Sequence, residues 1–148
     1  MLKNVLMVCL GNICRSPMAE RLLKYYSKER NLNLNISSAG IAAMVGYPAD
    51  PYAIQVMQDR GLDIQQHKPR QLTQALLNEA DLVLVMEQAQ QKHLSYIFPI
   101  SYGKVHQIGK WKGIEIADPY QMSSKEFENA CDLIDACLQD WLQRLWSR

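Results

Sequence analysis

Apolar positions fall into short runs and longer stripes that alternate along the chain. Residues 5–8, Val-Leu-Met-Val, form an unbroken run of strand length, and residues 81–86, Asp-Leu-Val-Leu-Val-Met, form a second. Runs of this kind predict strands buried on both faces. Residues 35–40 predict a shorter strand ending in a loop, and residues 104–108 a weak fourth. Between these lie helical patterns. Met18, Leu22, Leu23 and Tyr26 make a stripe on a helix expected from Ser16 to about residue 30, with Ser16 as N-cap and Pro17 at the first position. Asp50 and Pro51 open a second helix, Ala53, Ile54, Val56 and Met57 form its apolar face, and Gly61 ends it. Thr73 caps a short helix to about residue 79, and residues 88–96 are helical in pattern. Ser123 or Ser124 caps the last helix, whose stripe runs through Phe127, Cys131, Ile134, Leu138, Trp141 and Leu145.

A strand, a helix and a second strand within 40 residues form a βαβ unit, which implies a parallel sheet and a right-handed crossover. Continued alternation predicts an α/β fold: a doubly wound three-layer sandwich around a four-stranded parallel sheet, flavodoxin-like in type. In such sheets ligands sit at the carboxyl ends of the strands. Residues 41–49, Ile-Ala-Ala-Met-Val-Gly-Tyr-Pro-Ala, are too apolar for an ordinary exposed loop and form either core packing or a pocket wall. At 148 residues, with no repeat, low-complexity tract or linker, the chain is expected to be one domain over 1–148.

Composition narrows the classes. Hydrophobic residues at 48% and charged residues at 21% suit a soluble globular protein. A net charge of +1 gives no reason to expect nucleic acid as a partner. No apolar run approaches the roughly 20 residues of a membrane span, so the chain is not expected to be membrane-embedded, and the N-terminus is not a convincing signal peptide. Four cysteines, at 9, 14, 131 and 137, in a chain with this much core material argue against a disulfide framework. No His or Cys pair follows Cys9 and Cys14 at zinc-finger spacing, and His67, His93 and His106 are scattered singly.

The chemistry concentrates where the first strand ends. Cys9 is followed by five residues and then Arg15, at the start of the first helix. Loop N–H groups and a helix N-terminus converge there and suit a phosphate-like oxyanion. A cation at a helix start is otherwise unfavourable, so Arg15 itself points to an anion, which its planar fork can grip. The same field favours the thiolate of Cys9 over a buried inert thiol. Ser16 can hydrogen-bond that thiolate and later the departing sulfur. Cys9 therefore reads as a nucleophile and Arg15 as the clamp on the group it attacks. The reaction needs no metal or cofactor, because the cradle supplies the positive charge. A reactive thiolate needs a reducing compartment, so a cytoplasmic location is expected.

The full string Cys9-Leu10-Gly11-Asn12-Ile13-Cys14-Arg15-Ser16-Pro17 resembles the phosphate loop of the low-molecular-weight protein tyrosine phosphatases. The likeness extends to Ser38-Ala39-Gly40, Asp50-Pro51, the strand at 81–86, and Asp118-Pro119-Tyr120, nearly the whole chain. It implies the phosphotyrosine phosphatase I-like variant of the fold. It implies that Leu10, Gly11, Asn12, Ile13, Cys14 and Ser16 surround the phosphoryl group. Asp118, in a dipeptide that alone reads only as a turn, becomes the general acid and then the base. Met44 and Tyr120 become opposite walls of the pocket, Met44 being an aliphatic variant similar to bacterial members. Ser38 and His67 become supports for a strained Asn12, within a segment, His67-Lys-Pro-Arg-Gln71, that differs from the family at Pro69. Cys14 becomes a candidate for a reversible disulfide with Cys9. The bacterial likeness implies a phosphotyrosine protein as partner, a tyrosine autokinase controlling capsule or exopolysaccharide export.

Two other functions compete. An arsenate reductase of this fold would pass electrons through cysteines near residues 80–95, but no cysteine occurs from 15 to 130. A phosphotyrosine-binding module would keep Arg15 and lose the thiol or the acid, whereas both are present. A nucleotide loop of the Gly-x4-Gly-Lys-Ser/Thr type is absent.

Overall fold

Alternate residues of the first strand face opposite helical layers, and this fixes the architecture. The structure, a computed structural model, describes residues 2–147. Strands β1 (Asn4–Cys9), β2 (Asn35–Gly40), β3 (Leu82–Val85) and β4 (Val105–Gln107) form one parallel sheet in the order β2-β1-β3-β4. Val5 lies opposite Ile36 on one side and Leu82 on the other. Val5, Met7, Cys9, Leu82 and Leu84 join a core with α1 (Arg15–Glu29), α2 (Pro51–Asp59) and α5 (Ser124–Trp146). Leu6, Val8, Val83 and Val85 face the other way, toward α3 (Gln74–Glu79) and α4 (Gln88–Ile97). The sandwich expected from the sequence is the one found.

Local chemistry explains the helix ends. Asp50 accepts a hydrogen bond from the Tyr52 N–H at 2.9 Å, with Pro51 opening α2. Gly61, at φ +77°, closes it, and the Leu62 N–H bonds back to the Met57 carbonyl at 2.9 Å. Asn31, at φ 55°, ends α1 in the same way through Leu32 and Ser27. Thr73 caps α3 by accepting from the Leu76 N–H.

Three expectations are corrected. Helix α1 begins at Arg15, so Ser16 and Pro17 lie inside its first turn; Cys14 occupies the cap position and makes no side-chain cap bond. A side-chain cap would fill the space that an anion needs. Residue Ser123 stands at the N-cap of α5 but its hydroxyl makes no cap bond. Leu145 is 38% exposed, and Leu142 takes its place in the buried stripe. Segment 41–49 divides its roles: Ala49 is buried, while Val45 and Tyr47 stand in solvent. No helix among the described residues is long and apolar enough to cross a membrane.

Candidate active site

The loop after β1 lies between strands β1 and β3, where the strand order reverses. Six successive carbonyls of this loop are tied from outside. Those of Cys9, Leu10 and Gly11 accept from the N–H groups of Ile41, Ala42 and Met44 at 3.0, 2.8 and 3.0 Å. The Asn12 carbonyl is bonded by His67 Nε2 at 2.7 Å, that of Ile13 by the Asp50 N–H at 2.9 Å, and that of Cys14 by the Met18 N–H at 3.3 Å. In a trans peptide the N–H points opposite to the C=O, and no cis bond occurs among the described residues. Holding six carbonyls outward therefore aims the N–H groups of residues 10–15 into one concavity. That is an oxyanion nest made by hydrogen bonding from behind.

Asn12 makes the turn possible, at φ 59°. Its side chain is buried and fully used. The amide nitrogen donates to Ser16 Oγ at 2.8 Å and Ser38 Oγ at 2.9 Å, and Oδ1 accepts from the Arg70 N–H at 2.9 Å. Ser38 in turn donates to the Glu20 carboxylate. Because Asn12 supplies the proton to Ser16, the Ser16 hydroxyl proton is free for Cys9 Sγ, 2.9 Å away. The Asn12 N–H also reaches that sulfur, at 3.3 Å. Cys9 Sγ thus accepts two hydrogen bonds, which fix the sulfur at the floor of the loop. His67 must carry its proton on Nε2, since a carbonyl only accepts. Gly40 is obligatory beside this network: a Cβ there would lie 2.7 Å from the Leu10 carbonyl oxygen and 3.0 Å from Asn12 Cβ.

Arg15 is 2% exposed and well held. Nη1 donates to the Glu87 carboxylate and to the Ile116 carbonyl at 2.7 Å, while Nη2 lies 3.6 Å from Asp118 Oδ2. Asp118 also accepts from the Tyr120 N–H at 3.1 Å, which fixes its turn. Burial, reinforced by Asp50, Cys9 and Asp118, pushes the Cys14 thiol well above its ordinary value, so Cys14 stays protonated. All four cysteines are free and buried.

A cavity of about 140 Å3 opens over the loop, lined by Cys9, Leu10, Gly11, Ile13, Cys14 and Arg15 below and by Ala42, Met44, Asp118 and Tyr120 at the walls. The structure brings together nearly every residue singled out in the sequence. Asn12, Ser16, Ser38 and His67 stand behind the loop rather than in the cavity. Sequence reasoning missed Glu87, the Ile116 carbonyl and Glu20, whereas Ala42 belongs to the segment 41–49 read as a candidate pocket wall. One signal was available for Glu87: a buried arginine requires a carboxylate, and Glu87 directly follows the apolar strand. The arrangement can hold a tetrahedral oxyanion against a sulfur nucleophile, with a carboxyl group at the entrance.

Fold and loop together define a class, parallel α/β proteins with a Cys-x5-Arg oxyanion loop at the sheet's switch point. Residues 4–148 match the family model described as low molecular weight phosphotyrosine protein phosphatase, and the chain belongs to that family. The low molecular weight protein-tyrosine-phosphatase Ptp of Acinetobacter johnsonii is 46% identical over 97% of this chain and 98% of its own length. A structure of Vibrio vulnificus Wzb in complex with benzylphosphonate is 41% identical, covers 98% of this chain and all 100% of that one, and superposes with a TM-score of 0.91. The tyrosine phosphatase Wzb from Escherichia coli K30, in complex with sulphate, is 37% identical with a TM-score of 0.91, covering 98% and 99% of the two chains.

Proposed function

We propose that the chain hydrolyses phosphotyrosine in proteins through a phosphocysteine intermediate. Cys9 Sγ attacks phosphorus, the N–H nest and Arg15 hold the three equatorial oxygens, and Asp118 gives its proton to the departing tyrosine oxygen. A phenol leaves with a pKa near 10, so this protonation is worth about 10²–10⁴ in rate. Water then attacks the phosphocysteine; Asp118, now a carboxylate, takes its proton, and Ser16 donates to the sulfur that leaves. The single observation carrying this reading is the loop whose six carbonyls are tied outward around a sulfur that accepts from Ser16 and Asn12. The aromatic phosphonate on the Vibrio vulnificus relative supports an aryl phosphate as the ligand. The bacterial relatives and the aliphatic Met44 support the finer assignment: a tyrosine autokinase controlling capsule or exopolysaccharide as substrate, met in the cytoplasm.

The competing readings fit less well. Cys131 and Cys137 are buried in α5 and leave an arsenate reductase without relay thiols. A binding module has no use for an acid at the cavity mouth. The test is hydrolysis of a simple aryl phosphate with chelator and reductant present. Wild type should turn over, Cys9→Ser should be inactive, and Asp118→Asn should lose about 10²–10⁴ in kcat. A silent wild type, or an active Cys9→Ser, overturns the proposal.

A further inference from the structure

The catalytic cavity is surrounded by exposed apolar side chains that the phosphoryl chemistry does not use. Val45 directly follows the wall residue Met44, and Tyr47 closes the next turn, its N–H 3.1 Å from the Met44 carbonyl. Met122 closes the turn after Tyr120, its N–H 2.9 Å from the Pro119 carbonyl, with Gln121 at φ 64°. These three are each more than half exposed, and Leu10 on the loop itself is 49% exposed. Scattered exposed apolar residues are ordinary; a ring of them on every segment that forms one cavity mouth is an interaction surface.

The charge around the mouth has one sign. The segments that line it, residues 10–14, 41–52 and 114–123, and the adjoining residues 86–90 contain three carboxylates, Asp50, Glu87 and Glu115, besides the acid Asp118, and no lysine or arginine. The one cation at the site, Arg15, is buried beneath and paired with Glu87. Asp50 stands on the loop's edge through its N–H bond to Ile13, and Glu115 accepts from the Gln88 N–H at 2.6 Å, beside Glu87. The phosphoryl group therefore enters a positive nest through a rim that repels other anions.

Resting on the phosphatase reading above, we propose that this rim selects phosphotyrosines flanked by aliphatic and aromatic residues and rejects those flanked by Asp or Glu. The apolar ring buries against the flanking side chains, and the carboxylates penalise acidic neighbours. The occupant is an extended polypeptide segment, neutral or basic apart from its phosphate.

The test uses three synthetic phosphotyrosine peptides of equal length, with Leu/Tyr, Ala/Gln or Glu/Asp flanks, alongside para-nitrophenyl phosphate. The Leu/Tyr peptide should exceed the Glu/Asp peptide in kcat/KM by roughly tenfold at low salt, and the gap should narrow as salt screens the charge part. The double variant Tyr47→Ser, Met122→Ser should lose most of the preference for Leu/Tyr flanks through KM. It should keep para-nitrophenyl phosphate turnover within about twofold, because neither side chain lines the cavity. Equal rates on all three peptides, a preference for acidic flanks, or a variant that loses peptide and small-substrate activity in proportion would overturn the inference while leaving the phosphatase reading intact. Failure to hydrolyse para-nitrophenyl phosphate at all would remove that reading, and this inference with it.

Discussion

At Asn12 one side chain answers for both backbone shape and sulfur chemistry. Its left-handed φ costs an L-residue about 1–2 kcal/mol, and its three buried polar contacts offset that. Asn12→Ala should therefore lower stability by about 2–4 kcal/mol and also lower kcat, because Ser16 is no longer held to donate to Cys9. Asn12→Gly should recover the backbone part in thermal denaturation without recovering kcat. If glycine restores turnover as well, the side-chain network has no catalytic role. Glu87 poses a different choice. Its carboxylate orients Arg15, yet its charge opposes an incoming dianion. Orientation should win, since a misplacement of about 1 Å can cost 10²-fold. Glu87→Ala should cut kcat/KM for an aryl phosphate by about 10- to 100-fold, and Glu87→Gln, which keeps an oxygen acceptor for Nη1, should restore most of it. A Glu87→Ala variant with undiminished kcat/KM would show that the Ile116 carbonyl alone positions Arg15.

Strand β1 is held at its start by a single carboxylate, and this sets a pH dependence for the element. Asp81 Oδ2 accepts from the Lys3 and Asn4 N–H groups at 2.9 and 2.8 Å, and these bonds hold its carboxyl below the ordinary value. A depressed value means the unfolded chain binds the proton more readily. The contribution is then fully present above the ordinary carboxylate range and disappears as pH falls through the folded value. Asp81→Asn should have a lower Tm than wild type at about pH 7, and the gap should be smaller at about pH 3, below the ordinary carboxylate value. Melting curves that stay equally separated at both would rule this out. Element by element, the sequence was informative where one local rule acts. Pro51 and Asp50 start α2, Gly61 stops it, and the apolar run at 82–85 is buried, each for a reason readable within a few residues. It misled at Ser16, where a good capping residue is diverted by Cys9 and Asn12, seven and four residues before it. It pointed only weakly to Glu87, because the partner of Arg15 lies 72 positions away and only the β1–β3 pairing brings them together.

Across the whole molecule, the catalytic edge and the opposite helical surface are fastened separately. All the candidate site groups gather at the carboxyl ends of the strands. Away from them, Tyr26 of α1 donates to Asp135 of α5 at 2.6 Å, and Arg60 at the end of α2 pairs with Asp132 and Asp135. Three helices are thus joined by one polar cluster that has no member in the cavity. Burial, then the Asp135 bond and charge, pushes the Tyr26 phenol up to about 12. A raised value means the folded chain keeps its proton longer than the unfolded one, so this contribution is full below about pH 10 and is lost as pH rises through about 12. Tyr26→Phe should cost about 1 kcal/mol at neutral pH, the net worth of one hydrogen bond, reduced by the solvent that reaches this half-buried site. Its stability should also fall less than that of wild type between about pH 10 and 12, the difference between the two curves isolating Tyr26 from the other titrating groups. Sites with no shared partners add nearly independently, so kcat/KM for an aryl phosphate, measured per folded molecule, should be unchanged. A Tyr26→Phe variant of normal Tm but altered kcat/KM would mean that α1 transmits strain from this cluster to the Arg15 end, and that the two fastenings act as one.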